Sequence, residues 1–157
     1  MSAQVWIAIA VGVAAMVDDL ARRHIANWIP AAALAGGFGW QIGRDGWHGL
    51  WTALAGSLLG FGVFLIFYLK GGMGGGDIKL MAGFGALLGA GLLLEAAVWA
   101  AAIGGLMAVG ALVWRSAARK LGAVRTPATP QEQERAATIP YAPAITLGVW
   151  LVLAAQV

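Results

Sequence analysis

Six apolar runs, almost free of charge, fill this sequence: residues 1–17, 25–43, 46–69, 80–94, 96–114 and 136–157. A helix needs about 20 apolar residues, within a range of roughly 17–25, to cross a bilayer. Five of the runs fit. The fourth is short unless it starts near Asp77, which puts Asp77 at the membrane boundary. The runs are continuous and do not alternate, so a closed β-barrel is not expected. Composition agrees. Apolar residues make up 61% and charged residues 11%, against roughly 45–50% and about 25% in soluble domains. So few charges cannot clothe a soluble globule, and so apolar a chain is not disordered. Glycine is abundant, at 24 residues, but without the three-residue period of collagen. The expected fold is an all-α membrane protein, a bundle of about six transmembrane helices forming a single polytopic domain over residues 1–157. The first run lacks the basic start of a secretory signal and is followed by two aspartates, so it reads as a retained helix.

The charges that interrupt these runs also orient them. The connections after the first, third and fifth runs carry Arg22 and Arg23, then Lys70 and Lys79, then Arg115, Arg119, Lys120, Arg125 and Arg135. These are nine of the ten basic residues, with Arg44 the exception. The positive-inside rule places all three connections in the cytoplasm and both termini outside. The pI near 9.8 is then a mark of topology, and nucleic acid is not an expected partner. The longest connection, about residues 115–138, reads as a solvated cytoplasmic loop. Within it, Thr129-Pro130-Gln131-Glu132 has the pattern of a capped helix start.

Small residues set the expected packing. Gly56-Ser57-Leu58-Leu59-Gly60 and Gly85-Ala86-Leu87-Leu88-Gly89 are G-x-x-x-G motifs, which let helix backbones approach closely. Internal packing is the expected use, and the oligomeric state stays open. Trp28, Trp40, Trp47, Trp51 and Trp114 fall near run ends, as in interfacial aromatic belts.

Ionisable groups at membrane depth are expensive and tend to be functional. The candidates are Asp18, Asp19, Asp77, Lys79 and Glu95. Glu95 falls at the expected outer turn between the fourth and fifth runs and reads as solvated. The others share the cytoplasmic face. Asp18 and Asp19 are adjacent, about 100° apart on a helix, so one of them faces the bundle. Asp77 follows Gly71-Gly72-Met73-Gly74-Gly75-Gly76. Such a glycine run permits close backbone approach and positive φ. Its structural alternative is a hinge ending in a capping Asp. A phosphate loop is a weaker alternative, since the G-x-x-x-x-G-K-[ST] pattern is missing and an Asp in the nest repels anions. With no Cys and no H-E-x-x-H, neither a disulfide nor a metal or other cofactor is expected.

Gly74-Gly75-Gly76-Asp77-Ile78-Lys79 resembles the G-x-G-D-x-K motif of type IV prepilin peptidases, a branch of the GxGD membrane aspartic proteases. That family carries its first aspartate at the cytoplasmic end of an earlier helix, six to eight residues before Ile/Leu-Pro-Asn/Asp. Asp19 stands in that register before Ile25-Ala26-Asn27, with Ala26 in place of the usual Pro, and Asp18 is out of register. Ile139-Pro140-Tyr141-Ala142-Pro143 resembles the segment leading into the family's last helix. The three motifs occur in family order across nearly the whole chain. With no Cys-rich insert, the chain looks like the short form that serves Flp-pilus (tight adherence) systems. Methyltransferase activity is therefore not implied. The archaeal preflagellin peptidases share the aspartate motifs.

The resemblance implies Asp19 and Asp77 as catalytic residues and a prepilin or pseudopilin as substrate. The cut falls after a Gly, between a basic leader and a hydrophobic helix. It also implies a multi-pass protein of the bacterial inner membrane, working at the cytoplasmic side. Gly74, Gly76 and Lys79 are expected to shape the loop or touch substrate, the glycine backbone by pairing with an extended strand. Paired carboxylates hydrolyse peptides when one is ionised and one protonated around a shared water. Asp77 at a helix start is the expected base, and Asp19 at a helix end the expected proton holder. The rival readings are a small proton- or cation-coupled transporter and a non-enzymatic scaffold. The transporter needs acidic groups spread across the membrane, whereas these cluster on one side. The scaffold gives no reason for a glycine loop ending in Asp opposite a second Asp.

Overall fold

The apolar runs fold into four helices, not six. The computed structural model describes residues 2–70, 73–120 and 140–156. Helix α1 spans Ala3–Arg22, α2 Trp28–Leu69, α3 Gly75–Lys120 and α4 Ala142–Ala154. There is no strand among the described residues. Helices α1, α2 and α3 are each long and apolar enough to cross a membrane, and α4 is a shorter apolar helix. The helix start expected at Thr129–Glu132 lies outside the described residues.

The difference in count has a local cause. As a straight rod, the 42-residue α2 would be about 63 Å long, twice the ~30 Å of a hydrocarbon core. It is not straight. Gly46 (φ 56, ψ −127) and Gly89 (φ 75, ψ 171) are non-helical residues inside α2 and α3. Each helix folds back there. Gly49 lies against the backbone of Gln41, and Gly85 against the side chain of Leu93, although eight residues along a straight helix span about 12 Å. The turn expected at Glu95 is therefore at Gly89, and Glu95 is an exposed residue of the following helical arm. Charge marks where a chain can meet water. A reversal within one residue needs the backbone region open to Gly, which lies earlier. Replacing either glycine by Ala forces a side chain into a Gly-only region, at about 1–3 kcal/mol. At Gly46 a Cβ meets nothing, while at Gly89 it comes within 2.8 Å of Thr52. Gly89→Ala is thus expected to lower the melting temperature in detergent more than Gly46→Ala.

The folded-back arms pack through glycine. A methyl group at Gly56 would run into the carbonyl of Gly85, and one at Gly85 into the carbonyl of Gly56. The two G-x-x-x-G motifs meet each other, so they are internal packing surfaces. Gly60 faces Met81, so the 47–69 and 75–88 arms run antiparallel. Gly148 of α4 lies on Ala96 and Ala100, while Gly12 of α1 receives Thr146 and Trp150. The Trp150 indole N–H donates to the Ala8 carbonyl at 3.1 Å. The core between these seams holds Phe84, Leu80, Met81, Leu87, Ile145 and Val149.

The outer surface is as apolar as the inner one. Leu58, Ile66, Leu69, Leu106, Leu112 and Val113 are all more than half exposed. Water would penalise that surface at about 25 cal/mol per Å², whereas lipid chains accept it. Trp28, Trp47, Trp51 and Trp114 are exposed, as a belt requires. Trp40 is not in the belt. It packs against the core, with its indole N–H buried and without a hydrogen-bond partner among the described residues.

The two ends of the bundle differ. At one end the Leu87 carbonyl, next to the Gly89 break, accepts from the side-chain amides of Gln4 and Gln41 at 2.9 and 3.1 Å. These bonds occupy a carbonyl that the break would otherwise leave unmet. The other end gathers the close of α1 and the starts of α3 and α4.

Candidate active site

Asp19 lies in the last turn of α1 and is 7% exposed. Its Oδ2 accepts the Ala142 backbone N–H at 3.1 Å. Ala142 is the first residue of α4, whose N-terminal N–H groups lack helical partners. Pro143 starts that helix without needing a donor,. Asp19 therefore caps α4 from across the bundle, although more than a hundred residues separate them in sequence. The adjacent Asp18 is used otherwise. Its Oδ2 accepts the Ala26 N–H at 2.7 Å, and its Oδ1 lies 3.4 Å from Arg22 Nε. Asp18 fixes the connection after α1.

Asp77 is in the first turn of α3 and is also 7% exposed. Its backbone N–H donates to the Gly74 carbonyl at 3.2 Å. The Gly74 N–H donates back to Asp77 Oδ2 at 3.1 Å. This reciprocal pair starts the helix in the manner of a capping box, with Asp in the place of Glu. A Cβ at Gly74 would sit 3.3 Å from that carboxylate oxygen, so a side chain there presses on Asp77. Gly75 and Gly76 already belong to α3, and the extended edge expected over residues 74–76 is absent. Gly76 serves a different contact, since its Cβ would come within 3.0 Å of the buried Ile25 side chain.

The Ile25-Ala26-Asn27 segment and the glycine–aspartate segment thus lie against each other. Lys79 Nζ donates to Asn27 Oδ1 at 2.9 Å. Lys79 was expected to shape the loop or touch substrate, and the structure gives it this tie between α3 and the connection after α1. The bond is exposed, so its energy is about 0.5–1 kcal/mol. Asn27→Ala and Lys79→Ala are expected to lower the melting temperature equally, and the double variant no further than either. A double-mutant cycle on thermal unfolding checks this.

The contacts of Ile25 with Gly76, Asn27 with Lys79 and Asp19 with Ala142 bring both aspartates to one end of the bundle. Each carboxylate accepts a backbone N–H at Oδ2. Helix ends no longer distinguish the base from the proton holder. That distinction treated Asp19 as lying only at a helix end, but Asp19 also faces the start of α4, so both aspartates meet the positive end of a helix.

Tyr141 was not expected at the site. It is the N-cap residue of α4 and is partly buried. Its hydroxyl end fills the space left by Gly104, where a Cβ would come within 2.5 Å of the hydroxyl oxygen and 2.9 Å of the ring edge. Burial, and after it the charge of Asp77, push the phenol above its ordinary value, so it keeps its proton. Tyr141 also borders a cavity of about 280 Å³ between the 47–69 and 90–120 arms, lined by apolar residues including Phe64, Phe67, Met73 and Leu94. The signal in the sequence was Pro140-Tyr141-Ala142-Pro143, which marks a helix start but not what the start faces. No group of three or more metal-ligating side chains occurs among the described residues.

Residues 6–109 match the model of the Type IV leader peptidase family. The matched region includes Asp19 and Asp77 and ends before Tyr141. Neither the comparison with curated proteins nor that with solved structures gave a match.

Proposed function

The chain belongs to the type IV leader peptidase family, and from that membership we propose that it is a membrane aspartic endopeptidase for Flp-type prepilins or pseudopilins. Asp19 and Asp77 are its catalytic pair, working at the cytoplasmic face of the bacterial inner membrane. The observation that carries this reading is the meeting of two buried carboxylates, from separate helices, at the basic end of the bundle. One acts as base and takes a proton from a water whose oxygen attacks the scissile carbonyl carbon. The other gives its proton to the carbonyl oxygen. The tetrahedral intermediate then collapses, the C–N bond breaks and the new amine takes a proton. Both carboxylates lie at the level where a substrate helix held in the bilayer would present its basic leader. Gly74 and Gly76 hold the loop that aims Asp77, and Lys79 holds the neighbouring connection against it.

The basic residues support the orientation. Arg22, Arg23, Lys70 and Lys79 belong to the aspartate end and Arg44 to the other, so the positive-inside rule makes the aspartate end cytoplasmic. The start of α1 and the close of α4 lie at the far end, so this orientation puts them on the outer side. A proton path is less well supported. The buried polar residues away from the pair, among those described, are Gln41 and Thr146, and neither titrates.

Co-expression with a Flp-type prepilin tests the substrate. Leader removal, read by mass spectrometry of the new N-terminus, is expected with the wild-type chain. An uncut prepilin in membranes that hold the inserted protein would contradict the proposal.

A further inference from the structure

We propose that Tyr141 is a third catalytic residue of this site, its hydroxyl donating a hydrogen bond to the scissile carbonyl oxygen as negative charge develops there. The inference rests on the peptidase reading and extends it to a residue beyond the family match. Two carboxylates supply a base and one proton, but a tetrahedral intermediate gains from a second, preorganised donor at its oxygen.

The donors around the pair are mostly committed elsewhere. The Gly74 N–H is bound to Asp77, the Ala142 N–H to Asp19, Lys79 to Asn27 and Arg22 to Asp18. The Tyr141 hydroxyl has no hydrogen-bond partner among the described residues. It lies within the field of Asp77 and remains protonated. Its position is fixed from two sides. The peptide that joins it to Ala142 is held by Asp19, and its ring is seated in the slot at Gly104. Tyr141 is thus tied to Asp19 through the peptide it shares with Ala142, while its hydroxyl end rests on Gly104 beside the cavity that Met73, just before the glycine–aspartate segment, also lines. It also forms the polar border of an otherwise apolar cavity. A peptide whose apolar part lies along that cavity would bring its backbone past the hydroxyl and between the carboxylates.

Tyr141→Phe tests this, since it keeps the ring against Gly104 and removes only the donor. Cleavage kinetics on a purified prepilin in detergent are compared for wild type, Tyr141→Phe and Asp77→Asn, with thermal unfolding of each. Tyr141→Phe is expected to lower kcat about 10²-fold, with KM within about threefold and the melting temperature within a few degrees of wild type. A kcat within threefold of wild type would overturn the role of Tyr141 and leave the aspartate pair intact. A higher KM at unchanged kcat would also overturn it, because the hydroxyl would then serve binding alone. A loss matched by an equal loss of folded protein would make the residue structural and contradict the proposal. If wild type cleaves nothing, the peptidase reading itself fails, and Tyr141 with it. Cleavage that is lost in Asp77→Asn shows that this reading holds.

Discussion

Asp19→Asn and Asp77→Asn are each expected to reduce leader cleavage by at least about 10³-fold, with the protein still folded and inserted. Asparagine keeps the shape of aspartate and one carbonyl oxygen. That oxygen can still accept the Ala142 N–H in one variant and the Gly74 N–H in the other. The docking of α4 and the start of α3 therefore persist. What is lost is a group that can carry or take a proton. Neither remaining carboxyl can be base and acid at once, so the double variant is expected to be no worse than either single one. Asp18→Asn is the matched control. Its carboxylate holds the Ala26 N–H and pairs with Arg22. Cleavage by that variant is expected to stay within about tenfold of wild type, since the change weakens one loop contact worth about 1 kcal/mol. Parallel assays on membranes with equal amounts of inserted protein check all four.

Gly56→Leu is expected to have the largest effect on stability. The 47–69 and 75–88 arms touch backbone to backbone at Gly56 and Gly85, each blocking the space a side chain would need at the other. No rotamer relieves a clash between a Cβ and a carbonyl, so the arms must separate. Overpacking a tight seam costs about 1–3 kcal/mol and occasionally more, and here the obstacle is rigid main chain, which favours the upper end. Separation also moves Asp77, because α3 carries it one helical stretch away on the same arm. Gly62→Ala provides the contrast. A Cβ there meets nothing within 4 Å, and Ala is a better helix former than Gly by about 1 kcal/mol. Thermal unfolding in detergent should show Gly56→Leu melting far below wild type and Gly62→Ala at or above it.

Much of the site was legible because its chemistry is local in sequence. Asp77 announces itself through the glycines before it, and Asp19 through its register with Ile25 and Asn27. Sparse charge was enough to set the helical class and the clustering of acidic groups at one end. The G-x-x-x-G motifs were readable as internal seams, although which motif met which was not. Two kinds of feature escaped. One was the exact place of reversal. Gly89 looks like any other glycine of a motif, and only its φ of 75 distinguishes it, so Glu95 was the more visible marker. The other was contact across the chain. The cap that Asp19 gives α4, the tie between Lys79 and Asn27, and the seat of Tyr141 on Gly104 join residues far apart in sequence. No periodicity encodes such pairs. The helix-end argument for the acid–base assignment lost its contrast for that reason, since it considered the helix that carries Asp19 but not the helix that Asp19 faces.

The most direct test of the paired-carboxylate mechanism is leader cleavage in native membranes, with a Flp-type prepilin as substrate and Asp19→Asn and Asp77→Asn beside wild type. The mechanism predicts a mature N-terminus with wild type and intact leader with each variant, at equal levels of inserted protein. Cleavage retained by both variants would contradict it.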